Sequence, residues 1–175
     1  MLSKKIEKLL NEQVQHESES SNYYLAMASW AETKGLNGVS AFLYGQSDEE
    51  RVHMLKLFHY INERGGHAVA QGSKAPKGEF KNVKEVFEQV LKSEVNVTNE
   101  INQLVDACLK EKDYTTHNFL QWYVAEQMEE EKQAQTILDK LALLGDDKSG
   151  LYLFDRDMAS MATAPAADGA DAGGK

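Results

Sequence analysis

One cysteine and two prolines in 175 residues leave little to staple this chain or to break it. The lone Cys108 excludes an internal disulfide, and the opening MLSKKIEKLL carries no apolar signal stretch, so a reducing, cytoplasmic compartment is expected. No run reaches the ~20 apolar residues of a membrane span, so no membrane partner is expected. Positive charge is the scarcer sign: 19 Lys and Arg stand against 28 Asp and Glu, a formal net charge of -9. That balance argues against binding a phosphate backbone, hence no nucleic acid, and favours cationic partners, of which metal ions are one class. The length suits a single domain with one substantial core.

Breakers are confined to a few places. Pro76 and Pro165 lie outside every periodic segment, and most glycines fall at 35 to 38, 65 to 78, 145 to 150 and in the tail. Between them run four long segments of helical period, at 3–34, 38–64, 83–112 and 114–144, with no period-two alternation that would support a strand. Asn82 followed by Glu85 makes a capping-box start, and Gly35, Gly65 and Gly145 stand where helices should stop. The first and second segments, like the third and fourth, are joined by only a few residues and must be antiparallel neighbours. The link from Gly65 to Asn82 is different. Extended, it could reach roughly 60 Å, against about 42 Å for a helix of this length, so it can run the length of the bundle and make the second and third helices parallel. The predicted fold is all-α, a ferritin-like four-helix bundle with one long crossover. A short apolar stretch, SGLYLFDRDMASM at 149–161, reads as a fifth helix that completes a domain at 1–161, and 162–175 reads as a disordered, low-complexity tail.

Stepping along the inward strip of each helix by threes and fours shows where its apolar run breaks. In the first, Leu10 and Val14 lead to Glu17, then Ser21, Tyr24 and Ala28. In the second, Val39, Leu43 and Gln46 lead to Glu50 and His53, then Leu57 and Tyr60. The third runs Phe87, Val90, Glu94, Val97, Ile101, and the fourth Leu120, Tyr123, Gln127, Glu130, Ala134, Ile137. Every break falls near a helix midpoint, and antiparallel packing brings midpoints to one level. Four carboxylates, one imidazole and one carboxamide should therefore converge in the bundle centre. A single His or Glu on such a strip is more often a satisfied core polar group than a ligand. Four carboxylates facing one imidazole, with no Lys or Arg on the central strips, are not a balanced ion-pair network; Arg64 lies near the end of its helix. Protonation could relieve part of the repulsion, whereas two divalent metals would neutralise all four.

Oxygen-rich ligation with an imidazole suits Fe or Mn, while structural zinc would want thiolates. Di-iron bundles take a Glu from each of two helices and Glu-x-x-His from each of the other two. Here Glu50-Arg51-Val52-His53 keeps that pattern and Gln127-Met128-Glu129-Glu130 departs from it. One metal would then have a histidine and the other only carboxylates.

Over residues 1 to 160 the sequence resembles the prokaryotic non-haem ferritins, most specifically in FLQWYVAEQMEEEK (119–132) and EERVHM (49–54). The resemblance implies iron storage with ferroxidase activity at a non-haem di-iron centre. Glu17, Glu50 and His53 would hold one iron, and Glu50, Glu94 and Glu130 the second, with Glu50 bridging. It further implies that Gln127 hydrogen-bonds near the oxygen-binding side, that Tyr24 stands beside the centre, and that Glu49, Glu126 and Glu129 form a third iron site. Without the resemblance, Glu126, Glu129 and Glu131 read as an ordinary solvated face, Tyr24 reads equally as core, and Trp122 is assigned to packing. The implied reaction takes iron(II) to iron(III) with dioxygen or hydrogen peroxide as oxidant, and stores the product as mineral in a homo-oligomeric shell of twenty-four subunits whose four-fold channels residues 149 to 161 would line. No haem is expected, because Arg51 stands where the haem-ligating methionine of the related bacterioferritins would fall. A rubrerythrin-like di-iron peroxidase of small oligomeric state is the alternative enzyme, disfavoured by the absence of a Cys-x-x-Cys pair. A non-catalytic shell subunit is disfavoured because every ligand position is filled.

Overall fold

The computed structural model describes residues 1–145 and 147–162. These form α1 (Lys4–Thr33), α2 (Asn37–Glu63), α3 (Val83–Glu111), α4 (Tyr114–Leu144) and α5 (Lys148–Ala162), with no strand among the described residues. Each helix lies within one residue, at either end, of the segment expected from sequence. Ala162, read as the first residue of the tail, closes α5 instead, and the rest of that expected tail lies outside the described residues.

Local chemistry accounts for most helix ends. Ser3, Asn82 and Asp113 accept from the backbone N–H of Ile6, Glu85 and Thr116 and so satisfy otherwise orphaned donors. The expected capping box is displaced by one residue, because the Glu85 carboxylate accepts from the N–H of Lys81 at 2.6 Å rather than from that of Asn82. Gly35 and Gly65, at φ of 75° and 76°, reverse the chain after α1 and α2 in the left-handed region where a Cβ is strained. After α3 the same turn is made by Lys112, a residue that gives no such signal in the sequence.

Two apolar clusters sit at opposite ends of the bundle. One joins Tyr24, Ala28 and Ala31 of α1 to Val39 and Leu43 of α2, Val86, Phe87 and Val90 of α3, and Ala134, Ile137 and Leu141 of α4. The other joins Ile6, Leu10 and Val14 to Leu57 and Ile61, Val97, Ile101 and Leu104, and Leu120 and Tyr123. The start of α2 thus shares a cluster with the start of α3, and the end of α2 with the end of α3, so these two helices run parallel. The crossover between them follows α1 for most of its length. Asn11 donates to the carbonyl of His67 and accepts from the N–H of Val69, Asn22 donates to Ser73, and the Phe80 ring meets Trp30 edge-on at 5.5 Å.

The fifth helix is fastened to the start of α2. Leu36 gives α2 no side-chain cap, and Asp155 of α5 accepts from the Val39 N–H at 2.9 Å in its place. The approach depends on Gly38, where a Cβ would lie 1.7 Å from the Asp155 carbonyl oxygen. Gly38→Ala should therefore push α5 away and cost more than the ~1 kcal/mol of a lost cap, in the range of about 1–3 kcal/mol found for overpacking. Asp155→Ala should cost only about the cap. Equilibrium denaturation of both variants checks the order.

Candidate metal centre

Between the two apolar clusters lies a polar layer to which all four long helices contribute. Glu17 of α1, Glu50 and His53 of α2, Glu94 of α3, and Gln127 and Glu130 of α4 meet there, none more than 7 % exposed. Each is bracketed on its own helix by residues of both clusters, as Glu94 is by Val90 and Val97, so the layer is dry on both sides.

Glu17, Glu50 and His53 each offer a ligand atom within 4.8 Å of the other two, and His53 Nδ1 stands 3.4 Å from Glu50 Oε2. The Tyr24 hydroxyl donates to Glu94 Oε1 at 2.7 Å, and the Gln127 amide donates to Glu94 Oε2 and to the Glu94 carbonyl, both at 3.2 Å. The residues expected around the second metal, Glu50, Glu94 and Glu130, are electrostatic neighbours in the same layer, but among the described residues they do not form a group within 4.8 Å. Gln127, expected to hydrogen-bond near the oxygen-binding side, makes its side-chain bonds to Glu94.

His53 is held from behind. The Tyr123 hydroxyl donates to the His53 carbonyl at 2.8 Å, and the Trp122 ring meets the His53 ring edge-on with centroids 5.1 Å apart. Trp122 packs, as expected from the sequence, yet what it packs on is a candidate ligand, and the Lys56 ammonium lies 3.7 Å from its ring centroid.

A second group adjoins the first. Glu49, His53 and Glu126 have ligand atoms within 4.8 Å of one another, with both glutamates partly exposed, and the Gln46 amide donates to Glu49 at 2.6 Å. The expected trio of Glu49, Glu126 and Glu129 is thus only partly gathered. Glu129 is exposed, outside any such group among the described residues, although its charge acts on Glu126. Glu131 accepts from the Thr98 hydroxyl at 2.5 Å, which ties it to α3.

Burial governs the electrostatics. Desolvation, then the charge of Glu50, holds Glu17 well above the usual carboxylate range. Desolvation, then the charge of Glu94, does the same to Glu50. Glu94 is raised by burial against the opposing hydrogen bonds from Tyr24 and Gln127. Burial, then Glu94, pushes Glu130 up to about 9. Four acids folded into one dry layer favour their protonated forms. Carboxylates with one imidazole and no thiolate fit hard or borderline divalent metals such as iron and manganese. Among the layer's residues, the sequence reading missed Gln13, which donates to Glu17 Oε1 at 2.8 Å. Its spacing of four from Glu17 was the available signal.

A family model described as a ferritin-like domain matches residues 7–144. A probable bacterial non-heme ferritin-like protein of Haemophilus influenzae is 48 % identical over 163 residues, covering 93 % of this chain and 99 % of that one. A bacterial non-heme ferritin of Campylobacter jejuni is 45 % identical over 162 residues, covering 93 % and 97 %. Among solved structures, an open-pore ferritin from the archaeon Archaeoglobus fulgidus superposes with a TM-score of 0.90 at 42 % identity, over 91 % of this chain and 98 % of that one.

The raised carboxyls fix the sign of a pH effect. A carboxyl whose folded pKa exceeds its unfolded value holds more protons in the folded state, so stability is present below the unfolded pKa and is lost as pH rises through the folded one. The metal-free protein should lose stability between the ordinary carboxylate range and about pH 9, the value to which Glu130 is pushed. The slope is about 1.4 kcal/mol per pH unit for each proton by which the two states differ. Glu130→Gln should flatten it. Denaturation of chelator-treated protein across pH 5 to 9 measures both.

Proposed function

This chain belongs to the ferritin-like family, and from that premise we propose that each subunit oxidises iron(II) in its buried carboxylate layer before the iron passes into store. The chain is an iron-storage ferritin. The observation that supports a ferroxidase role is the layer itself, in which four carboxyls and one imidazole, drawn from four helices, lie between apolar clusters in a donor set suited to iron.

Iron is the substrate here. Glu17, Glu50 and His53 receive one iron(II), and Glu50, Glu94 and Glu130 the second, with Glu50 common to both. Binding releases the protons that burial holds on these acids. Each iron(II) gives up one electron, so a pair supplies the two that reduce dioxygen to hydrogen peroxide, or hydrogen peroxide to water. Tyr24 and Gln127 hold the Glu94 carboxylate in place, Trp122 and Tyr123 support His53, and the apolar clusters keep bulk water away. The product iron(III) then passes to the mineral. Glu49 and Glu126, partly exposed and sharing His53 with the inner group, are suited to a third iron site, to which the exposed Glu129, whose charge acts on Glu126, would contribute. Twenty-four copies closing into a shell, the 24-mer of this proposal, would provide the storage volume, in the cytoplasm.

A third site that acts after the first pair has reacted is not needed for the first event. Glu129→Ala should keep a fast first oxidation of about two irons per subunit while changing the iron-to-oxygen stoichiometry and later turnover. Glu130→Ala should lose the fast phase. Stopped-flow oxidation with oxygen consumption separates them, and a Glu129→Ala protein identical to wild type in every phase would return that residue to the solvated face.

A further inference from the structure

Gln13 is 2 % exposed on α1, one turn before Glu17, and among the described residues its side chain bonds to Glu17, its Nε2 donating to Glu17 Oε1 at 2.8 Å. Burying an amide is costly unless its hydrogen bonds are made, and an apolar side chain of similar length would pack beside Leu10 and Val14 more cheaply. The amide nitrogen is the end that faces it, and Oε1 can accept whether the carboxyl is ionised or carries its proton on the other oxygen. The contact therefore spends a buried amide on one oxygen of one carboxyl. Glu94 is treated alike, with Tyr24 and Gln127 on its two oxygens. The difference is that Glu17 has a single neutral donor, on one oxygen, while its neighbour across the layer is the acid Glu50.

We propose that Gln13 is a positioning residue for the iron substrate: by committing Glu17 Oε1 to its amide it leaves Oε2 to the metal, so that Glu17 ligates through one oxygen in a fixed orientation. This rests on the proposed iron-binding role of the layer. Outer partners of metal ligands act in this way generally, by fixing orientation, and their loss costs about ten- to a hundred-fold in metal affinity. Gln13→Met keeps the length and removes the donor, and Glu17 is then free to turn or to chelate with both oxygens.

Cobalt(II), which reports coordination through its visible d–d bands, is the probe. Assembled wild-type and Gln13→Met proteins, stripped of metal, are titrated with cobalt(II) by calorimetry and absorption, and their metal-free melts are compared. The inference expects a ten- to hundred-fold weaker first binding event, altered d–d intensity as the oxygen count at the metal changes, and a metal-free melt that is unchanged or raised. Unchanged affinity and spectrum would overturn it, as would a lowered melt with an unchanged spectrum, which would make Gln13 a structural residue only. Should Gln13→Met fail to assemble, Gln13→Leu removes the same donor at similar volume and is read identically. Wild-type protein that bound no cobalt(II) would sink the iron-binding reading and this inference together, whereas wild-type binding with an indifferent variant sinks the inference alone.

Discussion

Four carboxyls share one dry layer, and the rest of the molecule is arranged around that constraint. An ionised carboxylate removed from water costs several kcal/mol unless it is compensated. The compensation inside the folded chain is small: one imidazole, and neutral donors from Gln13, Tyr24 and Gln127. Burial therefore raises all four acids, with mutual repulsion adding to it at Glu17, Glu50 and Glu130, and protons stand in for the missing positive charge. A layer designed for stability alone would be filled more cheaply by leucine. One that holds acids in reserve for divalent cations has a reason to keep them.

The fold makes the layer possible by separating its apolar core into two. Each long helix carries one polar step between apolar ones, and the parallel run of α2 and α3, allowed by the crossover along α1, brings those steps to one level. The clusters on either side then do two jobs. They supply the hydrophobic stabilisation that tolerates the costly layer, and they exclude the water that would screen it. The α5 helix, fastened through Asp155 and Gly38 to the start of α2, extends one of these clusters with Phe154 and Met158.

Much of this was legible in the sequence because it is periodic. Helical period, Gly35, Gly65 and Gly145 placed the helices to within a residue, the link from Gly65 gave the topology, and breaks in four apolar strips gave Glu17, Glu50, His53, Glu94, Gln127 and Glu130. What could not be read depends on contacts between distant residues or on which neighbour a side chain chooses. The cap on α2 comes from Asp155, far along the chain. The left-handed Lys112 has no sequence signature. Gln13 looks like a flanking polar residue until its partner is known to be buried beside it. The outer acidic cluster is the clearest instance. Spacing alone makes Glu126 and Glu129 equivalent on one face of α4, whereas the structure places Glu126 against Glu49 and His53 and leaves Glu129 exposed.

Whether the acids are kept for metal or for stability is decided most directly at Glu94. Its replacement by Gln removes one buried acid but retains an oxygen that can accept from Tyr24. The measurement is a metal-free melt paired with anaerobic iron(II) binding on the same Glu94→Gln protein. A layer held in reserve for cations predicts that metal-free stability is maintained or rises while iron(II) binding falls sharply. A protein that instead lost stability and bound iron(II) as before would show that the carboxylates hold the bundle together, and the metal reading of the layer would be contradicted.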